Sequence, residues 1–337
     1  MTRWFSEAWY NGSLLVRLLW PLSLVFGVLA QRRRQQLLRN SWQAGVPVIV
    51  VGNITAGGTG KTPVCLALAK HFTAQGKRVV LVSRGYGGNA AHYPLIVNAE
   101  SDPAAAGDEA VLLARQSGCT VVVDPDRVHA AQLAEQQLHA QLILSDDGLQ
   151  HYALGRTVEI AVIDGARGLG NGLQLPAGPL REPAKRLQSV DYVIVNGPLL
   201  PPLSIPAGKQ VNMRLQALGL VNLHSGERLS PQHWLERHGA QKTVHAVAGI
   251  GNPARFFTSL QQLGFVIMPH AFEDHHAFQP GDLAFANAAP VVMTAKDAVK
   301  CQGFAKNHWW ALEVEAVLPK EFFESIERKL ATNPLKT

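Results

Sequence analysis

The sequence predicts an α/β fold: a mainly parallel, P-loop NTPase-like sheet covered by helices, with a smaller second α/β lobe behind it. Three observations carry that expectation. Short, wholly aliphatic runs alternate with helix-like stretches from Val46 onward, as strands buried on both faces of a parallel sheet require. One run leads through a glycine-rich loop into a helical pattern, and another ends in two adjacent aspartates. Apolar residues make up 47% of the 337-residue chain and charged residues 17%, a globular balance long enough for one large domain or two modest ones.

The first element stands apart. Residues 13–30 are mostly apolar, interrupted by Arg17 and Pro21, and Arg32, Arg33 and Arg34 follow. A signal peptide would carry its charges before the apolar run and a small-residue cleavage site after it. Here Trp4, Phe5, Trp9, Tyr10 and Trp20 flank or punctuate the run. Aromatic and cationic neighbours suit the bilayer interface, with the arginines on the cytoplasmic side. The run is short for a span, so residues 1–40 are expected to form a membrane-anchoring helix, spanning or lying in the interface. This segment holds six arginines against Glu7, so it carries +5 of the chain's net charge of +6. The remainder is nearly neutral, which argues against a nucleic-acid-binding face. Cys65, Cys119 and Cys301 are scattered and form no CxxC pair, which fits a reducing compartment.

Residues 41–199 read as the nucleotide-binding core. Strands are expected at 48–52, 78–83, 120–124, 141–145, 159–164 and 192–196, with helices at 62–75, 107–117 and 126–139. The first strand runs into Asn53-Ile-Thr55-Ala56-Gly57-Gly58-Thr59-Gly60-Lys61-Thr62. Glycines there let backbone N–H groups turn in around a phosphate, the helix dipole favours the anion, Lys61 adds a point charge, and the Thr62 hydroxyl can reach Mg²⁺. The strict pattern has glycine where Thr55 stands. Strand, loop and helix nevertheless follow in the required order, so residues 55–62 are expected to bind a nucleoside triphosphate.

The strand at 141–145 leads into Asp146-Asp147-Gly148-Leu149-Gln150-His151. A phosphoryl-transfer site needs an acid beside the loop to hold Mg²⁺. Asp164, also at a strand end, is the rival; the paired carboxylates Asp146 and Asp147 are preferred. Asp108 and Glu109 open a helix, where acids favour the dipole. Arg84 ends a strand in a flexible glycine loop, which reads equally as a mobile cation for phosphate and as a plain surface turn. A Gly/Pro-rich loop at 165–183 follows another strand end, where α/β folds build sites.

A second lobe is expected over residues 200–337, with a hairpin from 210, a βα unit at 243–263 and strands at 291–294 and 309–314. Its Glu273-Asp274-His275-His276 cluster suits a carboxylate-held histidine for proton transfer better than zinc, for which only His270 is nearby. An alternative reading, a nucleotide-switched metallochaperone, would use His270, His275 and His276. Lys296 and Asp297 are adjacent, unlike the spaced pair of a guanine reader, and do not support GTP.

Taken in order, these motifs resemble the tetraacyldisaccharide 4'-kinases, the lipid A 4'-kinases of Gram-negative bacteria. The resemblance covers nearly the whole chain. It runs from the N-terminal helix through Val51–Pro63, Ser83–Gly87, Gly107–Glu109, Asp146–His151 and Leu175–Pro183. It continues through Ala248–Pro253 and Asp274–His276 to Lys296–Lys300. Glu273 departs from it, standing where proline is expected. The resemblance implies ATP and Mg²⁺ as cofactors, transfer to the 4'-hydroxyl of an acylated glucosamine disaccharide, and a place on the cytoplasmic face of the inner membrane. No obligate protein partner is evident in the sequence. By the same resemblance Asp108 is the base, paired with His275, Arg84 clamps phosphate, and Thr62 with Asp146 or Glu182 holds the metal.

Overall fold

The computed structural model describes residues 8–11, 13–200, 203–239, 243–286 and 289–332; Trp4 and Phe5 lie outside them. A single-turn helix at Leu14–Arg17 precedes α1 (Trp20–Arg39). Next come β1 (Val48–Gly52), α2 (Lys61–Ala74), β2 (Val79–Ser83), β3 (Leu95–Val97), α3 (Asp108–Ser117), β4 (Thr120–Val123) and α4 (Arg127–Gln136). The core closes with β5 (Leu142–Asp146), β6 (Val158–Asp164) and β7 (Tyr192–Asn196). After β8 (Gln210–Asn222) and β9 (Arg228–Leu229) come α5 (Pro231–His238), β10 (Thr243–Ala248), α6 (Pro253–Gln262) and β11 (Val266–Ala271). The last elements are β12 (Val291–Thr294), α7 (Ala295–Cys301), β13 (Trp309–Val317) and α8 (Lys320–Thr332).

The strands form one 13-stranded sheet, ordered β11-β10-β12-β13-β8-β7-β6-β1-β5-β2-β4-β3, with β9 paired to β8. β8 unites the two halves. Its first residues pair parallel to β7 (Asn196 with Met213), and the rest pairs antiparallel to β13 (Val317 with Arg214). The parallel strands on either side of β8 therefore point their carboxyl ends at each other. Ligands of parallel α/β sheets bind beyond those ends, and here two such rims share one cleft.

The core strands β1, β2, β5 and β7 are buried at every residue, as their aliphatic composition anticipated. Their side chains feed two hydrophobic clusters. One, with Val64, Leu68 and Phe72 of α2 against Ile49, Leu81 and Leu144, lies on one face; the other, with Val50, Ile143 and Ile163, lies on the opposite face. Phe322 and Ile326 of α8 join the first cluster. The C-terminal helix thus packs back onto the nucleotide-binding half, although its sequence lies in the segment assigned to the second lobe.

Of the two forms expected for the N-terminal segment, spanning or lying in the interface, the spanning one finds no support among the described residues. The three arginines expected to flank the apolar run lie within α1, and no helix among the described residues is long and apolar enough to cross a membrane. Arg32, Arg33 and Arg34 are charges that a hydrocarbon core would exclude. One face of α1 is docked instead. Ser23 Oγ donates to Gln174 O at 2.8 Å and accepts from Ala177 N at 3.1 Å, inside the loop at 165–183. A Cβ on Gly27, one turn later, would stand 2.7 Å from Gln174 Oε1, so glycine permits the close approach. The other face leaves Leu22, Val25 and Leu29 exposed, and Leu18, shortly before the helix, is exposed as well.

Candidate active site

The expected phosphate loop lies at the carboxyl end of β1. Gly57 and Gly60 take φ of +97° and +96°, a region glycine enters at little cost. Thr55 bridges to Leu180, and Ala56 N donates to Pro179 O at 2.7 Å. Asn53 Nδ2 donates to Gly57 O at 3.1 Å, and Asn196 Nδ2 donates to Thr59 O at 2.9 Å. These bonds shape the loop from outside. The amides of Gly57, Gly58, Thr59 and Gly60 donate no hydrogen bond among the described residues, and the buried Thr59 hydroxyl has no partner. Buried polar groups without partners are unusual. Donors left open around a helix N-terminus are what an anionic phosphate chain would fill.

Lys61 Nζ stands 3.4 Å from Asp147 Oδ1, and Arg181 Nη1 reaches Asp147 Oδ2 at 3.2 Å. Burial would raise the Asp147 carboxyl, but Lys61 and Arg181 overcome it and hold the group well below the usual carboxylate range. Asp146, fully buried at the end of β5, goes the other way. Burial and then Glu109 push it up to about 7, against Lys61, and the Cys65 thiol donates to its Oδ1 at 3.4 Å. Of these two, Asp147 is the one already ionised beside the lysine. With the Thr62 hydroxyl on the same cavity wall, the pair supplies the hard oxygen donors that suit Mg²⁺.

Asp164, the rival acid, is otherwise occupied. It accepts from Ala166 N at 3.1 Å and Asn252 Nδ2 at 3.0 Å, and lies 3.3 Å from Arg167 Nε and 3.6 Å from Arg255 Nη1. It ties the two rims together. Arg167 adds to the tie, donating to Gly58 O and, at 3.2 Å, to Gly251 O. Glu182 is likewise engaged: it accepts from Gln150 Nε2 at 2.7 Å and from Tyr152 Oη, with Arg186 Nε 3.5 Å away. Ligating a metal would cost Glu182 part of this buried network.

The structure joins Asp108 and His275, 167 residues apart in sequence. His275 Nδ1 lies 3.4 Å from Asp108 Oδ2, and neither atom makes a hydrogen bond. Asp108 Oδ1 accepts from Glu109 N at 2.8 Å. Burial opposes the Asp108 charge, yet His275, Lys296 and Lys300 together hold its carboxyl below the usual range. Lys296 Nζ contacts Glu109 Oε1 at 3.0 Å, His275 Nε2 at 3.2 Å and Asp274 Oδ1 at 3.3 Å. Lys300 Nζ lies 2.9 Å from Asp297 Oδ1 and 3.8 Å from Asp108 Oδ2. In sequence both lysines come forward together only within the Lys296–Lys300 motif of the family resemblance, with no role for either; their approach to Asp108 and His275 belongs to the folded molecule.

Arg84 is exposed on the cavity wall. Arg127 was not singled out from sequence, since it sits in an ordinary helix start. Its guanidinium is buried, with Nε and Nη2 unpartnered, and burial lowers it to about 10 despite Asp146 and Asp147. Burial, then Arg127, depress His151 to about 4, so that ring is neutral at pH 7. The three histidines of the metallochaperone alternative separate. His270 pairs with His245 at 2.9 Å, His275 with Asp108, and His276 with Asp282 at 2.9 Å, and no group of three metal ligands forms among the described residues.

One cavity of about 1980 Å³ contains the phosphate loop, Asp146, Asp147, His275 and Lys296, and extends to Leu24, Gly27 and Val28 of α1. Fold and site together define a kinase of the α/β nucleotide-binding class. The chain belongs to the tetraacyldisaccharide-1-P 4'-kinase (LpxK) family, which residues 15–331 match. It is 48% identical over 326 residues to the tetraacyldisaccharide 4'-kinase of Alcanivorax borkumensis, covering 97% of each chain. It is also 48% identical over 335 residues to that of Pseudomonas aeruginosa strain LESB58, covering 97% of this chain and 98% of the other. The structure of Aquifex aeolicus LpxK in complex with ATP superposes with a TM-score of 0.77 at 28% identity, covering 95% of this chain and 99% of that one.

Proposed function

We propose that this protein transfers the γ-phosphoryl group of ATP to the 4'-hydroxyl of an acylated glucosamine disaccharide, a step of lipid A biosynthesis, at the cytoplasmic face of the inner membrane. One observation carries the reading: the phosphate loop and the apolar wall of α1 line the same cavity. A water-soluble donor and a lipid acceptor can meet only in a space with both characters.

The chain's own groups suit the chemistry. Phosphoryl transfer needs positioning and charge neutralisation more than covalent catalysis. Lys61 exchanges Asp147 for the incoming phosphates, and the loop amides hold them. Mg²⁺, held by Asp147, Asp146 and Thr62, would neutralise charge on the phosphate oxygens. Arg84 is placed to offer a mobile cation to the same phosphates. As the sugar oxygen forms its bond to the γ-phosphorus, the bond from that phosphorus to the bridging oxygen breaks and ADP leaves, while the hydroxyl proton passes to Asp108, which His275 orients. The exposed apolar face of α1, beside Arg17, Arg32 and Arg33, suits a helix lying in the headgroup region, so the acceptor reaches the cavity from the bilayer plane.

The test is transfer of labelled γ-phosphate to detergent-solubilised acylated disaccharide 1-phosphate. Label in the lipid fraction is expected. Hydrolysis of ATP with no labelled lipid rejects the assignment.

A further inference from the structure

Lys296 is more than a counter-ion. Its ammonium sits between Glu109 Oε1, Asp274 Oδ1 and the ring atom Nε2 of His275, all at 3.0 to 3.3 Å. An ammonium has three N–H donors and no acceptor, whereas neutral imidazole has one donor nitrogen and one acceptor nitrogen. A proton on His275 Nε2 would therefore face N–H groups of Lys296 and forfeit the bond. With the lone pair on Nε2, the ring proton sits on Nδ1, which faces Asp108 Oδ2 at 3.4 Å. That distance is long for a hydrogen bond, but catalytic bonds often tighten only when substrate is bound.

The backbone supports a specified ring placement. His275 holds φ of +63°, a region where a non-glycine residue is strained and which persists only where the surroundings demand it. Its ring packs 4.5 Å from Tyr86. The charged groups facing the ring or its partner are Asp108, Glu109, Asp274, Lys296 and Lys300.

We propose that Lys296 is a positioning residue that fixes the tautomer of His275, so that Nδ1–H is donated to Asp108 and Asp108 alone is left to accept the acceptor's proton. The proposal rests on the catalytic reading of Asp108 and His275 given above. In that arrangement His275 neither competes for the proton nor turns away from the carboxylate.

The test is ring-¹⁵N NMR of the full-length protein in detergent, with the His275 signals assigned through His275→Gln. The parent is expected to show a pyrrole-type Nδ1 and a pyridine-type Nε2. Lys296→Arg, also a pure donor, should keep that pattern, while Lys296→Met should lose it to a mixture of tautomers. In step with this, kcat of Lys296→Met should fall about 10- to 100-fold, the usual cost of losing an orienting partner, with ATP KM unchanged and partial recovery in Lys296→Arg. A pyridine-type Nδ1 in the parent, or an unaltered tautomer in Lys296→Met, overturns the proposal. The parent spectrum decides the matter even if Lys296→Met does not fold. Parental kcat in His275→Ala would sink the catalytic reading instead, while the tautomer assignment stands on its own spectrum.

Discussion

Lys61 Nζ lies 3.4 Å from Asp147 Oδ1, so the lysine of the phosphate loop is held by the carboxylate expected to help bind the metal. The pair keeps both charges extended toward the cleft and partly neutralised. Incoming phosphate and Mg²⁺ can then replace each partner with a stronger one, and little side-chain movement is needed.

Replacing Lys61 with alanine should therefore abolish turnover and leave the fold intact. Removing one charge-stabilising donor typically lowers kcat by about 10²–10³-fold. The check is steady-state kinetics beside a thermal melt. Near-parental turnover would remove the loop from the reaction.

Asp108→Ala and His275→Ala should each lower kcat by roughly 10²–10⁴-fold, the range for losing general-base catalysis, with little change in ATP affinity. If the two act as a unit, the double variant is barely worse than either alone. Multiplicative losses would show separate roles, and a raised ATP Kd in Asp108→Ala would move that residue to the nucleotide.

The depressed Asp108 carboxyl also sets a pH dependence of stability. A group whose pKa is lower folded than unfolded stabilises the fold above its unfolded value, and that contribution is lost as pH falls toward the folded one. Asp108→Asn should melt below the parent at pH 7, and the gap should close as pH drops below about 4, the unperturbed carboxylate range. A gap that widens in acid would contradict the charge arrangement around Asp108.

Asp164→Ala should leave Arg167 and Arg255 without their shared carboxylate. Both arginines keep some contact with water, so the cost should be about 1–3 kcal/mol, below that of a wholly buried pair. Chemical denaturation would measure it. ATP KM should rise too, because Arg167 also holds Gly58 of the phosphate loop.

On α1 and shortly before it, Leu18→Glu, Leu22→Glu and Val25→Glu combined should release the protein from anionic lipid vesicles and leave its melt unchanged, since all three side chains are exposed. Each fully buried leucine contributes about 1.5–3 kcal/mol to partitioning. Vesicle flotation gives the readout. Unaltered flotation would assign membrane contact to another surface.

Much of this was written in local pattern. The strands β1, β2, β5 and β7 are legible because burial on both faces leaves room for little but aliphatic side chains. The phosphate loop is legible because its glycines and Lys61-Thr62 do their work within one strand–loop–helix unit. Other features depend on contacts between distant residues. The paired carboxylates favour Asp146 and Asp147 over Asp164 locally, but which acid faces Lys61 is decided by the fold, where Asn252, Arg167 and Arg255 occupy Asp164. β8 reads as one alternating strand, and only non-local pairing makes its first residues part of one half and its remainder part of the other. Lys296 and Lys300 stand in a motif of the family resemblance with no role legible in it until the facing strand ends bring them to Asp108. Local sequence dictates which residues can form a strand, a turn or a phosphate cradle, because those depend on neighbours in the chain. Which charges meet across the cleft depends on how β8 joins the two rims, and that only the packed molecule decides.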